Sequence, residues 1–230
     1  MPAPARTQPK PKPAKKRLSP SEKARIDALF AHFAALSPDP RTELQFKNPY
    51  TLLVAVVLSA QATDKSVNKA TEKLFAVADT PEKMLALGEA GLTPMIASIG
   101  LYRTKAKNVI ALSRILIERY GGQAPLERDA LQSLPGVGRK TASVVLNELG
   151  VEPAIAVDTH VFRVAHRLKL SDGKTPDQVE HDLTAITPAP YLTRAHHWLI
   201  LHGRYTCLAR KPKCGECALA QYCPSRELFP

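Results

Sequence analysis

The sequence predicts an all-α protein, and helix-start signals carry that prediction. Residues 19–22, 80–81 and 175–178 each place a serine or threonine before a proline, and the first and third add a Glu or Gln three residues after the hydroxyl. A hydroxyl at the N-cap, proline at the first helical position and an acid or amide at the third are the parts of a capped helix start. Apolar residues then recur at helical spacing, as in 26, 29, 30 and 33. The first helix should begin near Ser19.

The valine-rich segment 50–60 is the ambiguous element. Its composition suits a buried strand, but no segment of the chain alternates apolar and polar residues for long, so a strand here would have no partner. A buried helix is the better interpretation. Further short helices are expected at 64–77, 103–119, 127–134, 139–149, 159–168 and 191–202.

Charge is concentrated at the start of this chain of 230 residues, whose formal net charge is +11. Residues 1–17 hold six basic residues, no acid and several prolines, a composition that predicts a disordered basic tail. The tail lacks the apolar run of a secretory signal, and its prolines exclude an amphipathic transit helix. The longest apolar run, Leu52 to Leu58, is too short to cross a bilayer. We therefore expect no membrane segment and a cytoplasmic protein.

The segment Leu134-Pro-Gly-Val-Gly-Arg-Lys-Thr-Ala142 lies between two short predicted helices. Gly136 and Gly138 permit positive φ and a close approach, and the amides that open the second helix point outward at the positive end of its dipole. Such amides hold any phosphate and read no base. The segment resembles the helix-hairpin-helix DNA-binding element, so we expect DNA contacts from Leu134, Gly136, Val137, Gly138 and Arg139. The alternative is a plain pair of antiparallel helices.

Lys140 follows this turn, and Asp158 stands eighteen residues later in Val157-Asp-Thr-His160. A nucleophilic lysine needs a partly deprotonated amine, and a helix N-terminus together with Arg139 would lower its pKa. Asp158 could accept its proton, although an aspartate in this position is equally an ordinary N-cap. On the residues alone, Lys140 remains either a nucleophile or one more cation for the DNA backbone.

All four cysteines lie near the end of the chain, at Cys207, Cys214, Cys217 and Cys223. Disulfides would be spread along the fold, whereas this crowding indicates a metal site of four soft thiolates. Spacing alone leaves tetrahedral zinc and an iron–sulfur cluster open.

Together the hairpin, the segment 157–163 and the cysteine loop resemble the endonuclease III family of DNA glycosylases with abasic-site lyase activity, over about residues 20–225. The resemblance implies that the cysteines hold a [4Fe-4S] cluster. It also implies that Lys140 attacks C1′ of an extruded damaged nucleotide, assisted by Asp158, releases the base and forms an imine. Elimination then cuts the strand 3′ to the lesion. The implied substrate is double-stranded DNA that contains oxidised pyrimidines or abasic sites.

Other residues gain roles through the same resemblance. Gln61 matches the polar side chain, and Leu101 the apolar side chain, that family members insert into the duplex when a base is extruded. The simpler interpretations are that Gln61 forms a hydrogen bond at a helix end and that Leu101 is a core residue. Ser59, Asp64 and His160 are expected near the pocket.

Arg204 and Lys211, with other cations beside the cysteines, form either a second phosphate-binding surface or a solvated loop. The adjacent pair His196 and His197 is interpreted as packing or solvent-facing, not as a metal site.

The resemblance also implies two lobes with DNA in the cleft between them. One is a six-helix barrel domain, residues 42–152, which contains the hairpin; the other is an iron–sulfur domain made of residues 18–41 and 153–230. We expect a monomer associated with the nucleoid.

Two alternatives stay open on the sequence alone. A related adenine mismatch glycosylase shares the hairpin, the aspartate and the cysteine loop, but it lacks the lysine and has a further C-terminal domain, so Lys140 and the end of the chain soon after Cys223 argue against it. The other alternative is a non-catalytic DNA-binding protein or redox sensor with an iron–sulfur cluster. Cleavage of an oligonucleotide with one abasic site separates that binder from an enzyme.

Removal of residues 1–17 should weaken nonspecific DNA binding and flatten its salt dependence. Each tail cation that contacts a phosphate contributes about 0.9 to the slope of log affinity against log salt. Titration of undamaged duplex DNA at several salt concentrations measures that slope. A full-length variant whose six basic tail residues are replaced by serine should behave like the truncated chain, and an unchanged slope in both would exclude the tail from DNA binding.

Overall fold

The computed structural model describes residues 18–229, so the predicted disordered tail lies outside the described residues. The described part holds ten α-helices and four short 3₁₀ turns and contains no β-strand, which confirms the all-α prediction. The helices are α1 (Pro20–Leu36), α2 (Pro49–Ser59), α3 (Asp64–Val77), α4 (Pro81–Met95), α5 (Tyr102–Tyr120), α6 (Arg128–Gln132), α7 (Arg139–Glu148), α8 (Thr159–Arg167), α9 (Pro176–Ile186) and α10 (Leu192–Tyr205).

The three capped starts form as the sequence predicts. Ser19, Thr80 and Thr175 are N-caps whose side chains accept a hydrogen bond from the backbone three residues on, and the first and last are complete capping boxes. A third capping box, which the sequence pattern did not reveal, starts α2: Asn48 is the N-cap and Thr51 returns the bond. The asparagine side-chain oxygen caps this helix as the serine and threonine hydroxyls cap the others.

The valine-rich segment is helix α2, and the strand interpretation is wrong. Residues 50–58 are all buried, from Tyr50 to Leu58. A helix enclosed on every side has no polar face, which is why its sequence carries no helical period. It packs against α3, α5 and α7 and so forms the centre of the first hydrophobic cluster.

Buried apolar side chains fall into two clusters. The first collects residues between Leu44 and Leu146, from helices α2 to α7. The second collects residues of α1 together with residues between Ile155 and Leu219. Within the second, the Trp198 indole stacks on Phe33 and donates a 2.8 Å hydrogen bond to the Ser37 carbonyl, which attaches the N-terminal helix to α10.

Local breaks in the helices follow from glycine and from tight turns. Helix α4 is kinked at Gly88, whose φ is +67°. Helix α5 begins after Leu101, which has a left-handed backbone although it is not glycine. After α10 the chain turns through three short 3₁₀ segments; Cys214 begins the first, Cys217 directly follows it, and Cys223 directly follows the second. Among the helices between residues 18 and 229, none combines the length and apolar character needed to cross a membrane.

Candidate active site

The hairpin between α6 and α7 is a tight turn built around Gly136. Its φ is +79°, and a Cβ there would lie 2.9 Å from Nδ2 of Asn108 on α5. Both the backbone angle and the space therefore require glycine. At Gly138, the N-cap of α7, no side chain caps the helix, and a Cβ would meet nothing within 4 Å. The first amides of α7 are thus left without a side-chain acceptor at an open surface, as an anion site requires.

The remaining hairpin residues divide by burial. Leu134 and Val137 are 3% and 5% exposed and belong to the first hydrophobic cluster, so both are core residues, and their DNA contacts stay a prediction. Arg139 is exposed, but its guanidinium makes ion pairs of 3.0 Å with both Asp177 and Glu180 of α9. Arg139 therefore joins the hairpin to the second cluster in this structure.

The structure places Lys140 beside Asp158. Lys140 Nζ lies 3.9 Å from Oδ2 of Asp158, and the side chains are 54% and 14% exposed respectively. The other carboxylate oxygen, Oδ1, accepts 2.8 Å hydrogen bonds from the backbone amides of His160 and Val161. Asp158 is therefore the N-cap of α8 and the partner of Lys140 at the same time, one oxygen serving each role.

Lys140 and Asp158 open into a cavity of about 770 Å³. This is within the range of pockets that hold small organic groups. Residues from both hydrophobic clusters surround the cavity, and among the predicted site residues its lining includes Ser59, Gln61, Asp64, Lys140, Asp158, His160 and Arg204. Leu101 does not line it, although its neighbour Gly100 does; the Leu101 side chain is 62% exposed beside the opening.

Arg204 forms the polar wall of this cavity. Its guanidinium pairs with the carboxylates of Glu43 and Asp64, and the Tyr205 hydroxyl donates to Glu43. Burial alone would lower the pKa of Arg204, but the hydrogen bonds and charges of Asp64 and Glu43 together raise it. Its role as a DNA contact stays a prediction, since two acids already hold it. Lys211, by contrast, is exposed on a left-handed turn of the cysteine loop, with φ of +52°.

The histidine pair is buried, so the packing interpretation is right and the solvent-facing one is wrong. His197 Nε2 lies 2.9 Å from a carboxylate oxygen of Glu148. His196 lines the cavity, is 4% exposed, and its Nδ1 has no hydrogen-bond partner among the described residues. Burial, then the neighbouring His197, lowers the pKa of His196 to about 3. His196 is therefore a neutral imidazole in the cavity wall.

The sequence alone did not identify several of these lining residues. Glu43, His196 and the apolar Ile200 and Leu201 join the cavity only through folding. The ion pairs of Arg204 connect residues 140 and 161 positions apart, a separation that no local pattern encodes.

The four cysteines line one small cavity in the second cluster, and none forms a disulfide. Arg167 of α8 donates to Cys207 Sγ at 3.4 Å and to the Leu208 carbonyl at 2.6 Å. Burial raises the pKa of the Cys217 and Cys223 thiols. Four thiols that share a cavity, with a guanidinium close by to offset negative charge, fit an iron–sulfur cluster.

Known proteins match both the helical region and the cysteine loop. Residues 54–189 match the HhH-GPD superfamily of base excision DNA repair proteins, and residues 207–223 match the iron–sulfur binding domain of endonuclease III. Over 198 residues the chain is 59% identical to endonuclease III of Rickettsia conorii. The aligned region covers 86% of this chain and 94% of the relative. It is 56% identical over 191 residues to endonuclease III of Escherichia coli K12, covering 83% and 90%.

Solved structures share the fold. A trapped endonuclease III–DNA covalent intermediate has a TM-score of 0.83 and 44% identity, covering 90% of this chain and 97% of that chain. A thermostable thymine-DNA glycosylase has a TM-score of 0.76 at 24% identity, with the same coverage, and is similar in fold.

The fold and the site together define a helix-hairpin-helix enzyme of base excision DNA repair. Within that class, the chain belongs to the endonuclease III family. Its activity is that of a DNA glycosylase and abasic-site lyase, and its cofactor is a [4Fe-4S] cluster. The predicted family, activity and cofactor are thereby confirmed.

His196 should make folding stability depend on pH. Its folded pKa of about 3 lies below the ordinary value of 6.5, so the unfolded chain binds the extra proton first as the pH falls. The contribution of His196 to the free energy of unfolding is fully present above pH 6.5. It is lost as the pH falls from 6.5 to about 3, by up to about 1.4 kcal/mol per pH unit. Urea unfolding followed by Trp198 fluorescence, at pH 7.5 and about pH 5.5, measures it. A His196→Asn variant should lose less stability on acidification, and parallel losses in both proteins would contradict this role of His196.

Proposed function

We propose that Lys140 is the nucleophile of this glycosylase and lyase, and that Asp158 is its proton acceptor. The observation that supports the proposal is the approach of Lys140 Nζ to Oδ2 of Asp158, at 3.9 Å, on the wall of a cavity large enough for an extruded nucleotide. An amine that loses its proton to Oδ2 has a free electron pair for attack on C1′ of the sugar. The damaged base is the leaving group.

The later steps use the same two residues. The amine on C1′ opens the sugar to an imine, loss of a proton from C2′ expels the 3′ phosphate, and water then releases Lys140. Asp158 is placed to hold or return a proton because its second oxygen is fixed by two amides of α8. A carboxylate that is already held in its reactive orientation does not have to reorient before each proton transfer. No metal-bound water is required.

The substrate we propose is double-stranded DNA with an oxidised pyrimidine or an abasic site. The uncapped amides of α7 are available for one backbone phosphate, next to the nucleophile. The two hydrophobic clusters are proposed as the cores of two lobes, with DNA across the cavity between them. The enzyme is proposed to act as a monomer.

Gln61 and Leu101 are proposed to fill the space that the extruded base leaves. Both are exposed, and both have left-handed backbones, φ +55° and φ +59°. Gln61 lines the cavity, and Leu101 directly follows Gly100, which also lines it. His160 is proposed to line the nucleotide pocket. Arg204 is proposed to shape the pocket wall through its acidic partners, and Lys211 to contact phosphate from the cysteine loop.

The role proposed for the [4Fe-4S] cluster is structural. Held by Cys207, Cys214, Cys217 and Cys223, it would fix a loop that has little hydrophobic core of its own. An iron–sulfur group can supply electron transfer, but no step of the proposed reaction consumes an electron. The chemistry falls to Lys140 and Asp158.

Lys140→Ala should abolish the covalent DNA adduct that borohydride traps by reducing the imine. The alanine variant has no amine to form that bond, so both base release and strand cutting should fall to background. Gel analysis of an abasic-site duplex treated with borohydride measures the adduct. Lys73→Ala, which removes an exposed lysine of α3, is the matched control and should trap as the wild type does. An undiminished adduct in Lys140→Ala would overturn the assignment.

Asp158→Asn should keep the fold and slow the reaction. The asparagine side-chain oxygen can still cap α8, but the proton acceptor is lost, a change worth about 10²- to 10⁴-fold in rate. Single-turnover base release and the melting temperature, measured together, separate the two effects. A wild-type rate in a variant with a wild-type melting temperature would remove Asp158 from the mechanism.

A further inference from the structure

The two residues proposed to enter the duplex, Gln61 and Leu101, share an unusual feature. Neither is glycine, yet both have left-handed backbones, with φ of +55° and +59°. Side chains disfavour this conformation, and it persists where the surrounding structure imposes it. Gln61 and the residue before Leu101, Gly100, line the same cavity, and two such backbones there indicate that the surrounding structure holds both turns.

The two turns lie against each other. Gln61 follows the end of α2, and Leu101 precedes the start of α5. At Gly100 an added Cβ would lie 3.8 Å from the Gln61 carbonyl oxygen, so the two turns lie side by side. A shift in either turn would therefore change the surroundings of the other.

Lys105 is bonded to both turns. It lies in the first turns of α5, where its backbone amide donates a 3.0 Å hydrogen bond to the Leu101 carbonyl. Its side chain extends in the other direction, and Nζ donates to the carbonyl oxygens of Leu58 at 2.9 Å and Ala60 at 2.6 Å. Ala60 immediately precedes Gln61, so one residue fixes the chain directly before Gln61 and at Leu101.

The surroundings of Lys105 are unusual for a lysine. The residue is 5% exposed, and burial lowers its pKa. Within residues 18–229 no carboxylate forms an ion pair with it; its ammonium group donates to carbonyls at the C-terminal end of α2, where the helix leaves unpaired acceptors and negative dipole charge. An ammonium supplies several donors there, whereas an apolar side chain of equal length would supply none.

We propose that Lys105 is a positioning residue for base extrusion, which holds the Gln61 and Leu101 turns as one rigid wedge. The inference rests on the proposed function, because it takes from it that these two side chains fill the duplex. Lys105 is not among the residues that line the cavity with Lys140. Its effect should therefore appear where a paired base has to leave a stack and be replaced, and not where no duplex exists.

The test compares base release from one lesion-containing strand, first paired in a duplex and then alone. Lys105→Met keeps the length of the side chain and removes its donors. We expect its single-turnover rate on the duplex to fall about tenfold or more, as misplaced positioning groups cause, with a change of less than about twofold on the single strand. Lys107→Met, an exposed lysine on the same helix, is the matched control and should leave both rates unchanged.

A double-mutant cycle tests whether Lys105 acts through the wedge. In a protein that already carries Gln61→Ala and Leu101→Ala, Lys105→Met should cause no further loss on the duplex, because the side chains that it positions are gone. Equal loss on both substrates, or a full further loss in the double-alanine background, would show a general structural role and overturn the inference.

Folding and the proposed function are checked separately. Each variant is compared with wild type for melting temperature and for the visible absorbance of its iron–sulfur cluster. If Lys105→Met loses the cluster, Lys105→Gln, which is neutral and keeps one amide donor group, is put through the same substrate pair with the same selective loss expected. A wild-type protein that yields no borohydride-trapped adduct refutes the proposed function, whereas an active wild type with unselective Lys105 variants refutes this inference alone.

Discussion

The site depends on how the two oxygens of the Asp158 carboxylate are divided. Oδ1 accepts two amide hydrogen bonds that start α8, and Oδ2 faces Lys140 at 3.9 Å. The same hydrogen bonds that begin α8 thus also orient the carboxylate beside Lys140. Lys140 stands in the first turn of α7, so two helix N-termini from different hydrophobic clusters converge on the cavity. If the two clusters moved relative to each other, the distance between Lys140 Nζ and Asp158 Oδ2 would change even if both helices kept their shape.

Ion pairs that cross between the clusters restrain such movement. Arg139 of the hairpin pairs with two acids of α9, and Arg204 of α10 pairs with Glu43 and Asp64 near the start of α3. The Asn147 amide adds a 3.0 Å hydrogen bond from α7 to the Thr193 carbonyl. The hairpin's resemblance to a DNA-binding element suggested Arg139 as a DNA contact, and the basic charge around the cysteines suggested Arg204. In the folded protein acids balance the charge of both arginines. The proposed phosphate contacts therefore fall to the exposed cations and to the first amides of α7, which no side chain caps.

Prediction from the sequence succeeded where the signal is local and failed where it is not. The caps at Ser19 and Thr175 and the hairpin glycines each lie within a few residues, and the four cysteines lie within residues 207–223, so short stretches of sequence contain each feature. The Arg204 partners are 140 and 161 residues away, and the unpartnered Nδ1 of His196 is a product of packing among the described residues. Nor does any pattern specify a left-handed Leu101, because leucine has no preference for that conformation.

Two lysines show why residue type and spacing do not settle a role. Both lysines come shortly after a glycine and lie near the start of a helix: Lys105 is five residues after Gly100, and Lys140 is two residues after Gly138. Lys140, one position inside α7, points along the cavity wall toward a carboxylate and keeps half of its side chain exposed. Lys105, further into α5, turns inward to backbone carbonyls at the end of α2 and is almost wholly buried. Lys105 lies two residues deeper in its helix than Lys140 does. That difference separates an exposed amine beside a carboxylate, which is the proposed nucleophile, from a buried ammonium group that is bonded to backbone carbonyls.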